Sequence, residues 1–378
     1  MRKDHIASHL LAFATEQVFP SVKLVGGGAN PLSFYYHFIF DFEFNEECLR
    51  LIDEKLRAFL ASPADMKLME MIPSNAAELL KHHHREIRGQ VVSEAQEGLV
   101  NILKIDGFYD YIGGISSTRV PFKASKVIGF ERVGHWMGKD VIRITGVGGE
   151  DQSTLKQKVK ALKEAQKLRH EVVGEKLKLF RIEDEGVYWH AGGEQVRQLL
   201  VSEWHQQVGA LGVDVISTPG LRPLAQRFED YQAVEIKKYR LAELNQVERD
   251  EGAGDGLFAG GITSGDCIRL MGSKKAVEED LEKGLELIHH FWELGALTKG
   301  GAVKVDFDTL LNHEGEVELR GADLFGRSQK ISSLQLQRVG KELYQLDVRL
   351  FWDLNAFIGM MLEKNRGALP FFFQPIQI

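Results

Sequence analysis

Cysteine and proline are scarce in this sequence of 378 residues, which has 2 cysteines and 9 prolines. Cys48 and Cys267 are too few for a disulfide framework or a four-cysteine zinc site, so a reducing compartment is expected. No segment approaches the roughly 20 apolar residues that a membrane helix needs, and the N-terminus lacks the apolar region of a signal peptide. We therefore predict a cytoplasmic protein without a membrane partner.

The sequence also has no excess of positive charge. Lys and Arg number 47 against 54 Asp and Glu, which gives a net charge of −7. DNA is therefore not expected as a partner, because phosphate contacts would have to come from a local basic patch. The most basic stretch is 156–178, with eight Lys or Arg and three Glu. A solvated helix between domains is the ordinary interpretation, and contact with an RNA backbone is the alternative.

Length and composition indicate a folded chain with two domains, since 44% of residues are hydrophobic and 27% are charged. Helical and strand patterns are interleaved without the regular βαβ period of a Rossmann sheet, so we predict an α+β fold. Helices are predicted at 5–19, from Ser74, and at 154–179, 194–212, 274–295 and 352–365. Strands are predicted at 33–44, within 85–147, after 212, and at 302–307, 316–322 and 330–338.

Two pairs of residues could carry chemistry. His5 and His9 are four residues apart, so a helix would place both rings on one face within reach of a metal or a substrate. Arg249 and Glu251 are two apart, and on a strand they would face the same side. Such a pair can clamp a phosphate and an adenine amino group, or it can be a surface ion pair. The HExxH, GxSxG and CxxC motifs are absent.

Several ordered motifs together resemble threonyl-tRNA synthetase, a class II aminoacyl-tRNA synthetase. DHIASHLLAFATEQVFPSVKL, with its HxxxH at His5 and His9, resembles the start of that family's editing domain. VYWHAGGEQVRQLL followed by VDVISTPGL resembles motif 1, which implies a homodimer interface at Pro219. YRLAELNQVERDE resembles motif 2, with Arg249 and Glu251, and DLNAFIGMMLEKNRGALPFFFQPIQI resembles motif 3.

The resemblance implies three regions. They are an editing-like domain at 1–150, a basic linker helix at 151–180, and a shortened catalytic-like domain at 181–378, with an antiparallel sheet flanked by helices. The family's small N-terminal domain and its anticodon-binding domain are expected to have no counterpart in this sequence.

The same resemblance assigns the site positions. Arg249, Glu251, Glu318 and Gln335 fall where family residues line the ATP site, but Ala356 replaces the arginine that would neutralise the γ-phosphate, and Trp352 replaces a glycine. Ile268 and Asp347 stand where two zinc-binding histidines are expected, and Ile112 and Ser116 replace the CxxxH of the editing site. Zinc is therefore not expected, the site for ATP and magnesium is incomplete, and threonylation should be lost.

Three functions are compatible with these positions. The first is a dimeric pseudo-synthetase with a binding or regulatory role. The second is a trans-acting deacylase that clears misacylated tRNA through His5 and His9, with weak contact to the tRNA acceptor end. The third is an ATP-dependent ligase that adenylates another amino acid or small molecule.

Overall fold

The computed structural model describes residues 5–95, 98–113, 118–120, 122–183, 186–216, 240–249, 256–297, 305–312 and 316–374. The chain divides into two compact units, an N-terminal unit (Met1–Glu164) and a C-terminal unit (Ala165–Ile378). Both units combine helices with mainly antiparallel sheets, so the α+β class predicted from the sequence is confirmed.

The N-terminal unit has two described sheets, in the strand orders β1-β2-β7-β6 and β3-β4-β5. Its elements are α1 (His5–Val18), β1 (Lys23–Ala29), β2 (Phe34–Ile39), α2 (Glu46–Ala61), β3 (Met66–Met71), α3 (Pro73–His82), α4 (Glu86–Ser93), β4 (Val100–Ile105), β5 (Phe108–Ile112), β6 (Ala124–Trp136), β7 (Lys139–Gly149) and the first part of α5 (Gln152–Lys167).

Helix α1 lies at the centre of this unit. Residues 6–14 are buried, and the helix ends at Val18, two residues before Pro20, which has no N–H to continue it. The aromatic segment predicted as strand 33–44 forms a shorter strand, Phe34–Ile39. Phe40 and Phe44 still pack together, with ring centroids 4.6 Å apart. Aromatic burial therefore continues beyond the point where strand hydrogen bonding stops.

The C-terminal unit contains a two-stranded sheet and a six-stranded sheet of order β10-β11-β12-β15-β14-β13 among its described strands. Its elements after α5 are α6 (His170–Lys176), β8 (Phe180–Glu183), β9 (Gly186–Trp189), α7 (Ala191–Ala210), β10 (Asp214–Val215), β11 (Arg240–Arg249), β12 (Gly261–Gly272), α8 (Lys274–Leu294), α9 (Phe307–Asn312), β13 (Glu316–Ala322), β14 (Ser328–Arg338), β15 (Tyr344–Arg349) and α10 (Leu354–Lys364), with 3-10 turns at Gly256–Phe258 and Phe371–Phe373.

The two faces of the six-stranded sheet differ in chemistry. On β15, Leu346 and Val348 belong to the apolar core, whereas Asp347 and Arg349 alternate with them and face the opposite side. Arg269 of β12 pairs with Asp347 across the ladder and shares that opposite face. This second side, called the polar face below, carries most of the residues that the sequence resemblance assigned to a nucleotide site.

The sequence predictions differ from the structure in several places. The helix predicted at 154–179 is two helices, because the chain breaks before His170, whose backbone and ring both bond Glu363. The strand predicted at 302–307 is wrong at its described end, where helix α9 begins at Phe307 and buries that ring. Elements that were not predicted include α2, β1, β3, β12 and β15. For β15, alternating apolar residues were the available signal.

No helix among the described residues is long and apolar enough to cross a membrane.

Asp266 is a buried carboxylate that ties β12 to the chain preceding α10. It accepts hydrogen bonds from Trp204 Nε1 at 2.9 Å, from Leu350 N at 3.1 Å and from Phe351 N at 2.7 Å. Burial disfavours its ionised form more than these hydrogen bonds favour it, and the pKa of Asp266 is raised to about 6.

This raised pKa predicts a pH-dependent stability. The folded state holds the Asp266 proton up to about pH 6, whereas an unfolded aspartate loses it near pH 3.9. The folded state therefore binds more protons in this window, and this contribution to the free energy of unfolding falls as the pH rises from about 4 to about 6. Urea unfolding followed by tryptophan fluorescence should show a smaller fall in Asp266→Asn, and equal slopes in both proteins would contradict the assignment.

Candidate functional site

A buried hydrogen-bond network lies at the centre of the N-terminal unit. His9 Nδ1 is 2.6 Å from Asp110 Oδ2, and the Tyr36 hydroxyl donates to the same oxygen at 2.6 Å. Arg88 Nε donates to Asp110 Oδ1 at 2.7 Å. Side chains from α1, β2 and α4 thus converge on one carboxylate of β5. We call these four residues the Asp110 network.

Electrostatics keep this carboxylate ionised. Burial raises the pKa of Asp110, but the charge of Arg88 and the contacts of His9 and Tyr36 outweigh it, so the pKa lies below its usual range. Burial raises the pKa of Tyr36, and the neighbouring Asp110 charge raises it further. Tyr36 is therefore a neutral hydrogen-bond donor at neutral pH, and Asp110 is a charged acceptor.

The histidine pair and the altered editing positions are only partly described. His5 begins α1, but its side chain lies outside the described residues, as does the whole of Ser116. Ile112 is buried on β5, on the same side of the strand as Asp110. The structure therefore joins His9 to Tyr36, Arg88 and Asp110, which the sequence reasoning had not selected. HxxxH pointed to His9, but no short motif links it to residues as much as 101 positions away.

A second cluster surrounds Trp352, which lies two residues before α10 begins. Its ring centroid lies 4.3 Å from Arg249 Cζ, 4.7 Å from Arg349 Cζ and 3.3 Å from Lys330 Nζ. Arg249 Nε also donates to the Trp352 carbonyl oxygen at 2.9 Å. Three cations therefore contact one indole, and we call these four residues the Trp352 cluster.

The three cations differ in how they are neutralised. Lys330 Nζ lies 3.1 Å from Glu316 Oε1 and 2.9 Å from Glu318 Oε1. Arg249 Nη2 and Arg349 Nε are buried and make no hydrogen bond to any residue that the structure describes. Burial, followed by the charge of Arg349, lowers the pKa of Arg249 to about 10. The cluster thus combines one paired lysine with two arginines that retain unused donors.

Glycine at position 265 permits the close approach of Arg249. A Cβ atom at Gly265 would lie 2.5 Å from Arg249 Nη2 and 3.2 Å from the Trp352 carbonyl oxygen. Any side chain at this position would therefore displace the guanidinium or the adjacent backbone.

The start of helix α10 is held by local hydrogen bonds. Asp353 is its N-cap and accepts from Ala356 N at 3.0 Å and from Thr263 Oγ1 at 2.7 Å. Ala356 is buried, and its methyl side chain supplies no charge to the neighbouring polar face. This is the position where the sequence resemblance predicts an arginine.

The other predicted nucleotide positions are distributed along the polar face. Glu318 reaches the Trp352 cluster through Lys330, and Gln335 lies in the ladder opposite Glu316 and Asp347. Glu251 and Pro219 lie outside the described residues. Arg349 and Lys330 were not selected from the sequence, although the alternation of Asp347 and Arg349 along β15 was an available signal.

The two positions that replace zinc-binding histidines do not share a face of the sheet. Ile268 is buried in the apolar core. Asp347 lies on the polar face and forms a buried two-point ion pair with Arg269, at 2.7 and 2.6 Å. The acidic group at 347 is therefore already occupied by an arginine.

One group of potential metal ligands occurs among the described residues, formed by His170, Glu171 and Glu363. His170 Nε2 accepts from Leu257 N at 2.9 Å, so Nδ1 carries the proton that is donated to Glu363 Oε1 at 2.7 Å. Both ring nitrogens are thus used inside the protein. These contacts join α6, the 3-10 turn at Gly256–Phe258 and α10, which is a structural role.

No family model matches the chain. The threonine–tRNA ligase of Clostridium botulinum (strain Kyoto / Type A2) is 23% identical over 473 residues, a match that covers 99% of this chain and 74% of the ligase. The threonine–tRNA ligase of Clostridium tetani (strain Massachusetts / E88) is 23% identical over 470 residues, with 99% and 73% covered. The chain is thus similar to threonine–tRNA ligases over nearly its whole length.

The resemblance inferred from the motifs is confirmed over nearly the whole chain. The alignments are longer than the chain itself, so these ligases contain segments that it lacks. A solved structure, the RNA binding domain of threonyl-tRNA synthetase from Cryptosporidium parvum Iowa II, has a TM-score of 0.45 and 13% identity. It covers 55% of this chain and 74% of its own.

Proposed function

We propose that this threonine–tRNA ligase-like chain has lost threonylation and acts as a dimeric pseudo-synthetase with a binding or regulatory role. The observation that carries the proposal is the Trp352 cluster, in which an indole contacts the arginine expected to hold ATP. Zinc has no part in this proposal, because Ile268 is a core residue and Asp347 is bonded to Arg269.

Two observations support the loss of ATP-dependent adenylation. Arg249 commits its Nε to the Trp352 carbonyl and its guanidinium to the indole, so it is not free to bind an α-phosphate without rearrangement. Ala356 cannot supply the charge-assisted hydrogen bonds that an arginine gives to a phosphate. Loss of one electrostatic clamp on a transition state lowers rates on the order of 10²- to 10³-fold.

ATP–pyrophosphate exchange with each of the twenty amino acids tests the loss of activity. No exchange above a protein-free control is expected, while a catalytically competent threonine–tRNA ligase assayed in parallel should exchange with threonine. Robust exchange with any amino acid would refute the proposal and favour a ligase of different specificity. The dimer is proposed from motif 1 alone, and a monomer in sedimentation at micromolar concentration would contradict it.

A second candidate function, hydrolysis of misacylated tRNA, is favoured by the Asp110 network. Asp110 fixes His9 through Nδ1, and no described residue hydrogen-bonds the other ring nitrogen, Nε2. An oriented histidine can act as a general base or position a water molecule. The exposed lysines of α5, which include Lys156, Lys160 and Lys163, offer a weak electrostatic contact for the acceptor end.

Hydrolysis of seryl-tRNA tests this second function. The chain should release serine faster than buffer, and His9→Asn should abolish the excess rate while leaving the circular dichroism spectrum unchanged. His82→Asn at the end of α3, away from the network, is the matched control and should keep the rate of the unchanged chain. Equal rates with and without protein would exclude the function.

A further inference from the structure

A small cavity lies in the N-terminal unit between α1, the turn that joins β1 to β2, β7 and α5. Its volume is about 30 Å³, and it is partly open to solvent. One water molecule needs about 10–15 Å³, so the cavity accommodates a group of a few heavy atoms. Ala7 lines it and is two residues from His9, about 200° around α1. The cavity and the Asp110 network therefore lie on different sides of that helix.

Two stacked phenyl rings form the apolar wall of this cavity. The ring centroids of Phe34 and Phe122 are 5.4 Å apart, and the ring planes differ by 5°. A Cβ atom at Gly146 would lie 2.4 Å from the Phe34 ring, and one at Gly148 would lie 2.5 Å from the Phe122 ring. Glycine at both positions of β7 thus leaves room for the two rings and fixes the shape of the wall.

The polar side chains of the cavity offer donors rather than acceptors. Asn30 Oδ1 already accepts from Leu32 N at 2.9 Å and from Ser33 N at 2.8 Å. The buried Ser33 Oγ accepts from Asn30 Nδ2 at 2.9 Å, and its own proton has no acceptor among the described residues. The half-buried Lys158 ammonium also lines the cavity and forms no ion pair with a residue that the structure describes. One hydroxyl and one ammonium are therefore available to a ligand.

We propose that this cavity binds the carboxylate group of a small organic acid. Lys158 and Ser33 donate to the carboxylate oxygens, and the alkyl part of the acid packs against the two phenyl rings. Hydrogen bonds between an ammonium and a carboxylate are charge-assisted and stronger than neutral ones. The site is independent of the proposed function, because it uses neither the Trp352 cluster nor the Asp110 network.

The charges of the lining residues narrow the class of ligand. Lys158 is the single cation among the described lining residues, so it balances a monoanion and not a phosphate dianion. No Asp or Glu occurs in the same set of residues, so the α-ammonium of an amino acid would find no counter-ion. A carboxylic acid without an amino group is therefore favoured.

Ligand-observed NMR at constant ionic strength tests this site with propionate, propionamide and alanine as probes. The unchanged chain should bind propionate with a Kd on the order of 1 mM, because few atoms make contact. Propionamide and alanine should bind about tenfold more weakly or less, and Lys158→Gln should weaken propionate binding by about tenfold or more. Lys160→Gln, at an exposed lysine two residues along α5, is the matched control and should bind propionate as the unchanged chain does.

Lys158→Arg separates loss of the positive charge from disturbance of α5, since it keeps the charge and should retain most of the affinity for propionate. Equal affinity of the unchanged chain and Lys158→Gln would overturn the proposal, and so would no binding of propionate by the unchanged chain at about 10 mM. Binding of propionamide or alanine as tight as that of propionate would show a neutral or zwitterionic ligand and contradict the assigned class. Pyrophosphate exchange and hydrolysis of seryl-tRNA test the proposed functions separately, so their outcomes do not affect this one.

Discussion

Asp110→Asn is expected to lower the free energy of unfolding of the N-terminal unit by about 3–5 kcal/mol, the usual cost of removing one partner from a buried ion pair. Asparagine has the shape of aspartate but no charge, so Arg88 would remain buried without its counter-ion. Its amide NH₂ would also face donors from His9, Tyr36 or Arg88. Hydrogen exchange of the α1 and β5 amides reports this unit specifically and should show the loss.

Tyr36→Phe is the matched control, because it removes one hydrogen bond and leaves the ion pair intact. It should cost about 1 kcal/mol. The pH dependence gives an independent check. Because the pKa of Asp110 is lowered in the folded state, its contribution is present above about pH 4 and is lost as the pH falls below that value. An Asp110→Asn variant as stable as Tyr36→Phe would mean that the network carries little energy.

Asp347→Ala should destabilise the C-terminal unit by about 3–5 kcal/mol. The change removes the carboxylate that bonds Arg269 at two points, on a central strand where the arginine is almost completely buried. Urea unfolding followed by tryptophan fluorescence reports mainly this unit, because four of the five tryptophans belong to it and only Trp136 lies in the N-terminal unit.

The double variant Arg269→Met with Asp347→Leu separates charge pairing from packing. Replacing both partners of a buried ion pair by apolar side chains of similar volume is often neutral or stabilising. The double variant should therefore recover most of the stability that Asp347→Ala loses. If the double variant unfolds as easily as the single variant, the cost comes from hydrogen bonds to other groups on the polar face and not from loss of the Arg269–Asp347 ion pair.

Local periodicity was sufficient for some of the regular elements. Helices α1, α3, α7, α8 and α10 and strands β13 and β14 were predicted within a few residues of their observed bounds. Two of the errors have a clear physical cause. The lysine-rich pattern at 154–179 continues through a break imposed by the distant Glu363, and a short apolar run near Phe307 does not distinguish strand from helix.

The candidate sites could be predicted only in part. Motif order identified His9, Arg249, Trp352 and Ala356 as positions of interest, because a family pattern is readable along the chain. The residues that lie next to them come from elements far away in sequence. Asp110 bonds His9, and the charge of Arg349 lies close to Arg249. No spacing rule connects such residues, since their proximity is created by strand pairing and helix packing.

The sequence by itself was enough to predict a reducing compartment, an α+β fold and a resemblance to threonine–tRNA ligases. Only the tertiary structure decided what those motif residues now do. The sheet ladder aligned Asp347 with Arg269, and the turn before α10 brought the Trp352 indole against two arginines. The reason is that local propensity acts over a few residues, whereas pairing, burial and neutralisation of charge depend on what the fold brings within a few ångströms.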